Sequence, residues 1–146
     1  MTGLRPVLVV EDSANDLELM LEALRDNNLA NPVDVARDGE QALAYLRREG
    51  AFQGRVAVDP VVVLLDLKMP RVDGLDVLRA VKNDRRLRAI PIVMVTSSRE
   101  EQDLVESYRL GVNAYVVKPV DFSGFAAAVR QLGAFWAVVN EPPPTS

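Results

Sequence analysis

The run Val61-Val62-Val63-Leu64-Leu65, five apolar residues without a break and ending on Asp66, constrains this chain more than any other segment. A short, wholly apolar run rich in β-branched residues fits a strand covered on both faces, as in a parallel sheet, and this one is expected at the centre. Other runs repeat the theme. Pro6 to Val10 ends in the acids Glu11 and Asp12, and Val33 to Ala36 makes a short second strand. Pro91 to Val95 ends on Thr96, and Ala114 to Val117 ends on Lys118-Pro119.

Helical patterns lie between these runs. Leu17, Met20, Leu21 and Leu24 recur at i, i+3, i+4 and i+7, with Ser13 or Asn15 as the cap. Ala42, Leu43 and Leu46 mark a second helix that fades at Gly50, before a long loop to Pro60. Leu75, Leu78 and Val81 mark a third. Ser98-Arg99-Glu100-Glu101 reads as a capping box opening a fourth, whose inner face is expected to hold Leu104, Val105 and Tyr108 and which stops at Gly111. Asp121 caps a fifth, carrying Phe122, Phe125, Ala126, Val129, Leu132, Trp136 and Val139 at helical spacing. Strands alternating with single helices imply right-handed crossovers, hence an α/β fold with a five-stranded parallel doubly wound sheet and five helices. One domain is expected over residues 1–139, with a Pro-rich flexible tail at 140–146.

Composition narrows the chemistry. The 146 residues contain no cysteine and no histidine. Disulfides, thiolate nucleophiles, imidazole bases and His-ligated zinc are therefore excluded, and carboxylates, hydroxyls, lysine and a hard cation remain. A formal charge of −4 offers no basic footprint for nucleic acid or anionic lipid, and Arg85-Arg86-x-Arg88 reads as a solvated helix end. Neither a signal peptide nor a bilayer-spanning run is present, so a cytoplasmic location is expected.

In open parallel sheets, ligands bind at the carboxyl ends of the strands. Here those ends carry Glu11, Asp12, Asp66, Thr96 and Lys118. Three carboxylates together repel one another unless a cation intervenes, and oxygen ligands select Mg²⁺, which keeps waters that a phosphate can replace. Lys118 offers a positive donor for phosphoryl oxygens and Thr96 a hydroxyl. Asp66, ending the central strand, is the best candidate for a nucleophile that forms an aspartyl phosphate. Taken singly, an Asp or Thr after a strand is usually a turn or cap residue. The specificity lies in the combination.

The motifs Val9-Val10-Glu11-Asp12, Leu64-Leu65-Asp66-Leu67-Lys68-Met69-Pro70-x-x-Asp73-Gly74, Val95-Thr96-Ser97 and Ala114-Tyr115-Val116-Val117-Lys118-Pro119 resemble those of the receiver (response-regulator) family over residues 6–133. The resemblance implies a flavodoxin-like strand order 2-1-3-4-5 and phosphorylation of Asp66 by a partner histidine kinase. It implies a Mg²⁺ site, also open to Mn²⁺, made by Glu11, Asp12, Asp66 and the main-chain carbonyl of Lys68. Thr96, Ser97 and Lys118 would contact the phosphoryl group, Thr96 and Tyr115 would form a switch, and a cis bond would precede Pro119. No activity is implied beyond the chain's own phosphotransfer and autodephosphorylation. Lys68 stands where many relatives carry Asn. Its side chain can reach toward the phosphoryl group or lie in solvent, and solvent is favoured.

A finer likeness is to phytochrome-associated single-domain response regulators, carried by the long loop before the third strand, Ser107-Tyr108-x-Leu110-Gly111 and the late Phe135-Trp136. It implies a bacteriophytochrome-type kinase and output through protein contacts, with no DNA-binding domain. From Asp121 to Val139 the last helix would span about 27 Å and overhang the sheet. A homodimer is therefore expected through Tyr108, Tyr115, Phe125, Val129, Leu132, Phe135, Trp136 and Val139. The rival readings are a degenerate receiver acting as a phosphorylation-independent interaction module and an aspartyl-phosphate phosphatase. A haloacid-dehalogenase-type phosphatase would need a second Asp at position 68, after a first-strand nucleophile.

Overall fold

The structure, a computed structural model, describes residues 5–26, 31–54, 58–97 and 101–117. Five parallel strands, β1 (Val7–Val10), β2 (Val33–Ala36), β3 (Val62–Leu65), β4 (Ile92–Thr96) and β5 (Ala114–Val117), form one sheet in the order β2-β1-β3-β4-β5. Among the described residues four α-helices connect them: α1 (Ala14–Asp26), α2 (Gly39–Arg47), α3 (Gly74–Lys82) and α4 (Glu101–Arg109). The expected fifth helix, the tail, the Ser98–Glu100 part of the proposed capping box and Lys118-Pro119 lie outside the described residues.

The apolar run of β3 is central, as expected, and buried at every position. Alternation along the strands divides their side chains between two cores. Leu8, Val10, Val63, Leu65, Ile92 and Met94 face the side covered by α2 and α3, where Leu46, Val77, Leu78 and Val81 meet them. Val7, Val9, Val62, Leu64, Val93 and Val95 face the other side, where α1 contributes Met20 and Leu24. A fully buried side chain of this size contributes about 1.5–3 kcal/mol, so both layers hold the strand ends firmly in place.

The helices start where short polar side chains satisfy free backbone N–H groups. Ser13, not Asn15, serves α1: its hydroxyl accepts from the Asp16 N–H at 3.3 Å. Asp38 accepts from the Gln41 N–H at 2.7 Å to open α2, and a reciprocal Asp73–Asp76 capping box opens α3. The loop after α2 begins with a 3-10 turn at Gly50–Phe52. Further along it, the Asp59 carboxylate meets Arg86 at 2.7 Å and Arg48 at 3.4 Å.

One helix faces the opposite way from expectation. Leu104, Val105 and Tyr108 of α4 are 38%, 56% and 48% exposed, whereas Asp103 and Ser107, at i and i+4, are buried. Where Asp103 turns inward, its carboxylate meets Lys68 Nζ at 3.4 Å, and this exposed cation lessens the cost of burying that one carboxylate.

Candidate functional site at the carboxyl ends of the strands

Sheet register brings the acids together. Val10 of β1 lies opposite Leu65 of β3, so the next residues, Glu11 and Asp66, leave the sheet side by side. The Asp66 N–H donates to the Val10 carbonyl at 3.0 Å, and the Glu11 N–H to the Ala36 carbonyl at 3.0 Å. Glu11, Asp12 and Asp66 each present a carboxylate oxygen, and these oxygens lie within 4.8 Å of one another. Glu11 and Asp66 are buried, and Asp12 is exposed at the rim. The Ser13 N–H donates to Glu11 Oε2 at 3.1 Å, which orients that carboxylate without neutralising it.

The loop after Asp66 turns tightly into α3. The Gly74 N–H donates to the Leu67 carbonyl at 2.8 Å. A Cβ at position 74 would sit 2.4 Å from the Asp66 carbonyl oxygen, so only glycine allows this approach. Lys68 is 62% exposed along its side chain yet not free in solvent, because Asp103 of α4 holds its ammonium. The side chain is exposed, as favoured from the sequence, and the structure adds its ion pair with Asp103.

Thr96 ends β4 fully buried, and Ser97 beside it is exposed. Tyr115, opposite Met94 in the sheet, is half-buried against the core on the α2–α3 side. Tyr108 is exposed on α4. Lys118, Pro119 and the interface residues Phe125, Val129, Leu132, Phe135, Trp136 and Val139 lie outside the described residues.

Two site neighbours escape a reading by motif. Arg37, just after β2, donates from Nε to the Glu11 carbonyl and from Nη2 to the Asp12 carbonyl, both at 3.1 Å. Arg71, in the loop after β3, holds Glu40 at 2.7 Å and Asp38 at 3.4 Å and adopts a left-handed backbone with φ 64°. The hydrogen bond to Glu40, reinforced by the charges of Glu40 and Asp38, raises the Arg71 pKa above its ordinary value. A non-glycine residue at positive φ inside an acid-bearing loop is the one signal that marks the second arginine as unusual.

A parallel sheet in the order 2-1-3-4-5 with three carboxylates gathered at its switch point is the architecture of a receiver-type α/β domain. The chain belongs to the response regulator receiver domain family, whose family model matches residues 7–130. It is similar to the bacteriophytochrome response regulators AtBRR and RtBRR. The AtBRR structure is 61% identical, covers 96% of this chain and 100% of its own, and has a TM-score of 0.87. The RtBRR structure is 60% identical, covering 97% and 85%, also with a TM-score of 0.87. Response regulator Rcp1 of Synechocystis sp. is 35% identical over 89% of this chain and 87% of its own length. The Mn²⁺-bound form of Rcp1 superposes with a TM-score of 0.75 at 32% identity, covering 96% of this chain and 99% of its own. Among the described residues no helix is long and apolar enough to cross a membrane.

Proposed function

We propose that this chain is a phosphorylation-controlled response regulator that takes a phosphoryl group onto Asp66 from a partner histidine kinase in a Mg²⁺-dependent reaction. It would then signal through protein contacts in the cytoplasm. The observation that carries the reading is the convergence of Glu11, Asp12 and Asp66, with carboxylate oxygens within 4.8 Å of one another at the carboxyl rim of the sheet. An all-oxygen donor set of this kind fits Mg²⁺, with Mn²⁺ as a substitute. Glu11, Asp12, Asp66 and the Lys68 carbonyl would hold the ion. When bound, it supplies positive charge against the carboxylates and the transferring phosphoryl oxygens.

In the transfer, an Asp66 carboxylate oxygen forms the new O–P bond while the P–N bond of the kinase phosphohistidine breaks, its electron pair leaving with the imidazole. This chain has no histidine, so the donor is another protein or a small phosphoryl compound. The names of AtBRR and RtBRR, at 61% and 60% identity, support a bacteriophytochrome-type kinase as that protein. Thr96, Ser97 and Lys118 would contact the phosphoryl group, with Lys118 held by a cis bond to Pro119. Movement of the Thr96 hydroxyl toward the group would let the half-buried Tyr115 turn inward. The exposed apolar residues Leu104, Val105 and Tyr108 on α4 support a homodimer that also uses Tyr115 and Phe125, Val129, Leu132, Phe135, Trp136 and Val139 of the last helix. A degenerate, phosphorylation-independent module would have no use for the clustered acids.

The test is incubation with acetyl phosphate and Mg²⁺ followed by intact-mass analysis. Wild type should gain one phosphoryl mass, roughly 80 Da. Asp66→Asn should gain none, and excess EDTA should abolish the gain in wild type. A full gain in the mutant would move the nucleophile elsewhere.

A further inference from the structure

The acids of the site sit on two separate loops, and both loops are tied by arginine to the same structural post. On the β1–α1 loop, the forked guanidinium of Arg37 takes the carbonyls of Glu11 and Asp12, both at 3.1 Å. Arg37 is itself anchored, because its N–H donates to Gln41 Oε1 in the first turn of α2 at 2.9 Å. On the β3–α3 loop, Arg71 reaches Glu40 in that turn and its cap Asp38. The two surfaces are also in hard contact, since a Cβ at Gly39 would stand 2.2 Å from the Val72 carbonyl oxygen.

We propose that Arg37 and Arg71 are positioning residues that hold the two acidic loops at working separation by tying both to the first turn of α2. This inference rests on the metal-site reading given above. Among the described residues, the guanidinium groups donate to the carbonyls of Glu11 and Asp12 and to the side chains of Glu40 and Asp38, not to the carboxylate oxygens of Glu11, Asp12 or Asp66. Arg37 acts on the carbonyls behind two of these acids, where it fixes backbone orientation and not the carboxylates themselves. Outer partners of this kind set metal affinity because they orient ligands that would otherwise wander.

The sign of the effect separates positioning from simple electrostatics. A nearby positive charge repels a cation, so an arginine acting by charge alone would bind metal more tightly when removed. A positioning arginine, when removed, loosens the ligands and weakens binding. Lysine keeps the charge but not the planar fork that spans two successive carbonyls.

The experiment measures Mn²⁺ affinity of the full chain from the free-ion EPR signal, for wild type, Arg37→Ala, Arg37→Lys, Arg71→Ala, Asp12→Ala and the remote control Arg25→Ala. Arg37→Ala and Arg37→Lys should both raise the dissociation constant about tenfold. Arg71→Ala should raise it about two- to fivefold, as befits an exposed ion pair. Arg25→Ala should leave it unchanged. In the metal-free protein, Arg37→Ala should also speed amide exchange at Ser13, whose N–H donates to Glu11. At saturating Mg²⁺ the phosphorylation rate of the arginine variants should return close to wild type, since the chemistry at Asp66 is untouched. Tighter Mn²⁺ binding in Arg37→Ala, or a wild-type constant in Arg37→Lys, overturns the positioning role while Asp12→Ala still loses the ion. Wild-type binding by Asp12→Ala overturns the metal-site reading itself, and this inference with it.

Discussion

Replacing Gly74 by alanine pushes a methyl group into the backbone that carries Asp66, the proposed phosphoacceptor. The ideal Cβ would lie 2.4 Å from the Asp66 carbonyl oxygen and 2.8 Å from the Leu67 Cα. Ordinary contact begins at 3.4 Å, so the β3 exit or the start of α3 must retreat by roughly 1 Å. Both obstructing atoms are backbone, and no flexible side-chain end can absorb the shift. Overpacking of this sort costs about 1–3 kcal/mol. The better helix propensity of alanine returns at most about 1 kcal/mol. With that gain returned in full, a net loss of up to about 2 kcal/mol lowers the melting temperature of a domain this size by up to roughly 8 °C. Displacement of Asp66 should slow phosphorylation further, by up to about 100-fold for an error near 1 Å. Thermal melts by circular dichroism and timed intact-mass analysis with acetyl phosphate read the two effects. Gly54→Ala is the control: a Cβ there meets nothing within 4 Å, so its stability should stay within about 0.5 kcal/mol of wild type. If Gly74→Ala melted and phosphorylated like Gly54→Ala, the β3 exit would be freely yielding and the steric reasoning would be refuted.

Two further outcomes are expected. Lys68→Ala removes the cation beside Asp103, and because the lysine is 62% exposed the loss in a denaturant melt should be under about 1 kcal/mol; a loss beyond about 3 kcal/mol would show that the pair behaves as a buried one. Val105→Glu on the exposed face of α4, and separately Trp136→Glu, should each give monomers in sedimentation while leaving phosphorylation of Asp66 intact; a wild type that sediments as a monomer at tens of micromolar would end the dimer proposal.

Much of the fold was legible because its signals are local. An unbroken Val-Val-Val-Leu-Leu run needs two covering layers wherever it lies, and the helical spacing of Leu17, Met20 and Leu24 needs only neighbouring turns. The site was legible for the same reason. Polar residues directly after apolar strands must emerge at one rim of a parallel sheet, and Glu11, Asp12 and Asp66 do converge there. The α4 stripe misled because apolar spacing identifies a helix without saying which face its surroundings accept. Leu104, Val105 and Tyr108 look inward by pattern and face outward in the fold.

By itself, then, the sequence determined the order of strands and helices, the class of fold they can close into, and the rim on which oxygen chemistry collects. Only the tertiary structure decided that Lys68 pairs with Asp103, 35 residues further on, and that Arg37, leaving the neighbouring strand β2, donates to the carbonyls of Glu11 and Asp12. Those choices depend on side chains that meet through space, and no period along the chain encodes which cation will stand beside which carboxylate or carbonyl.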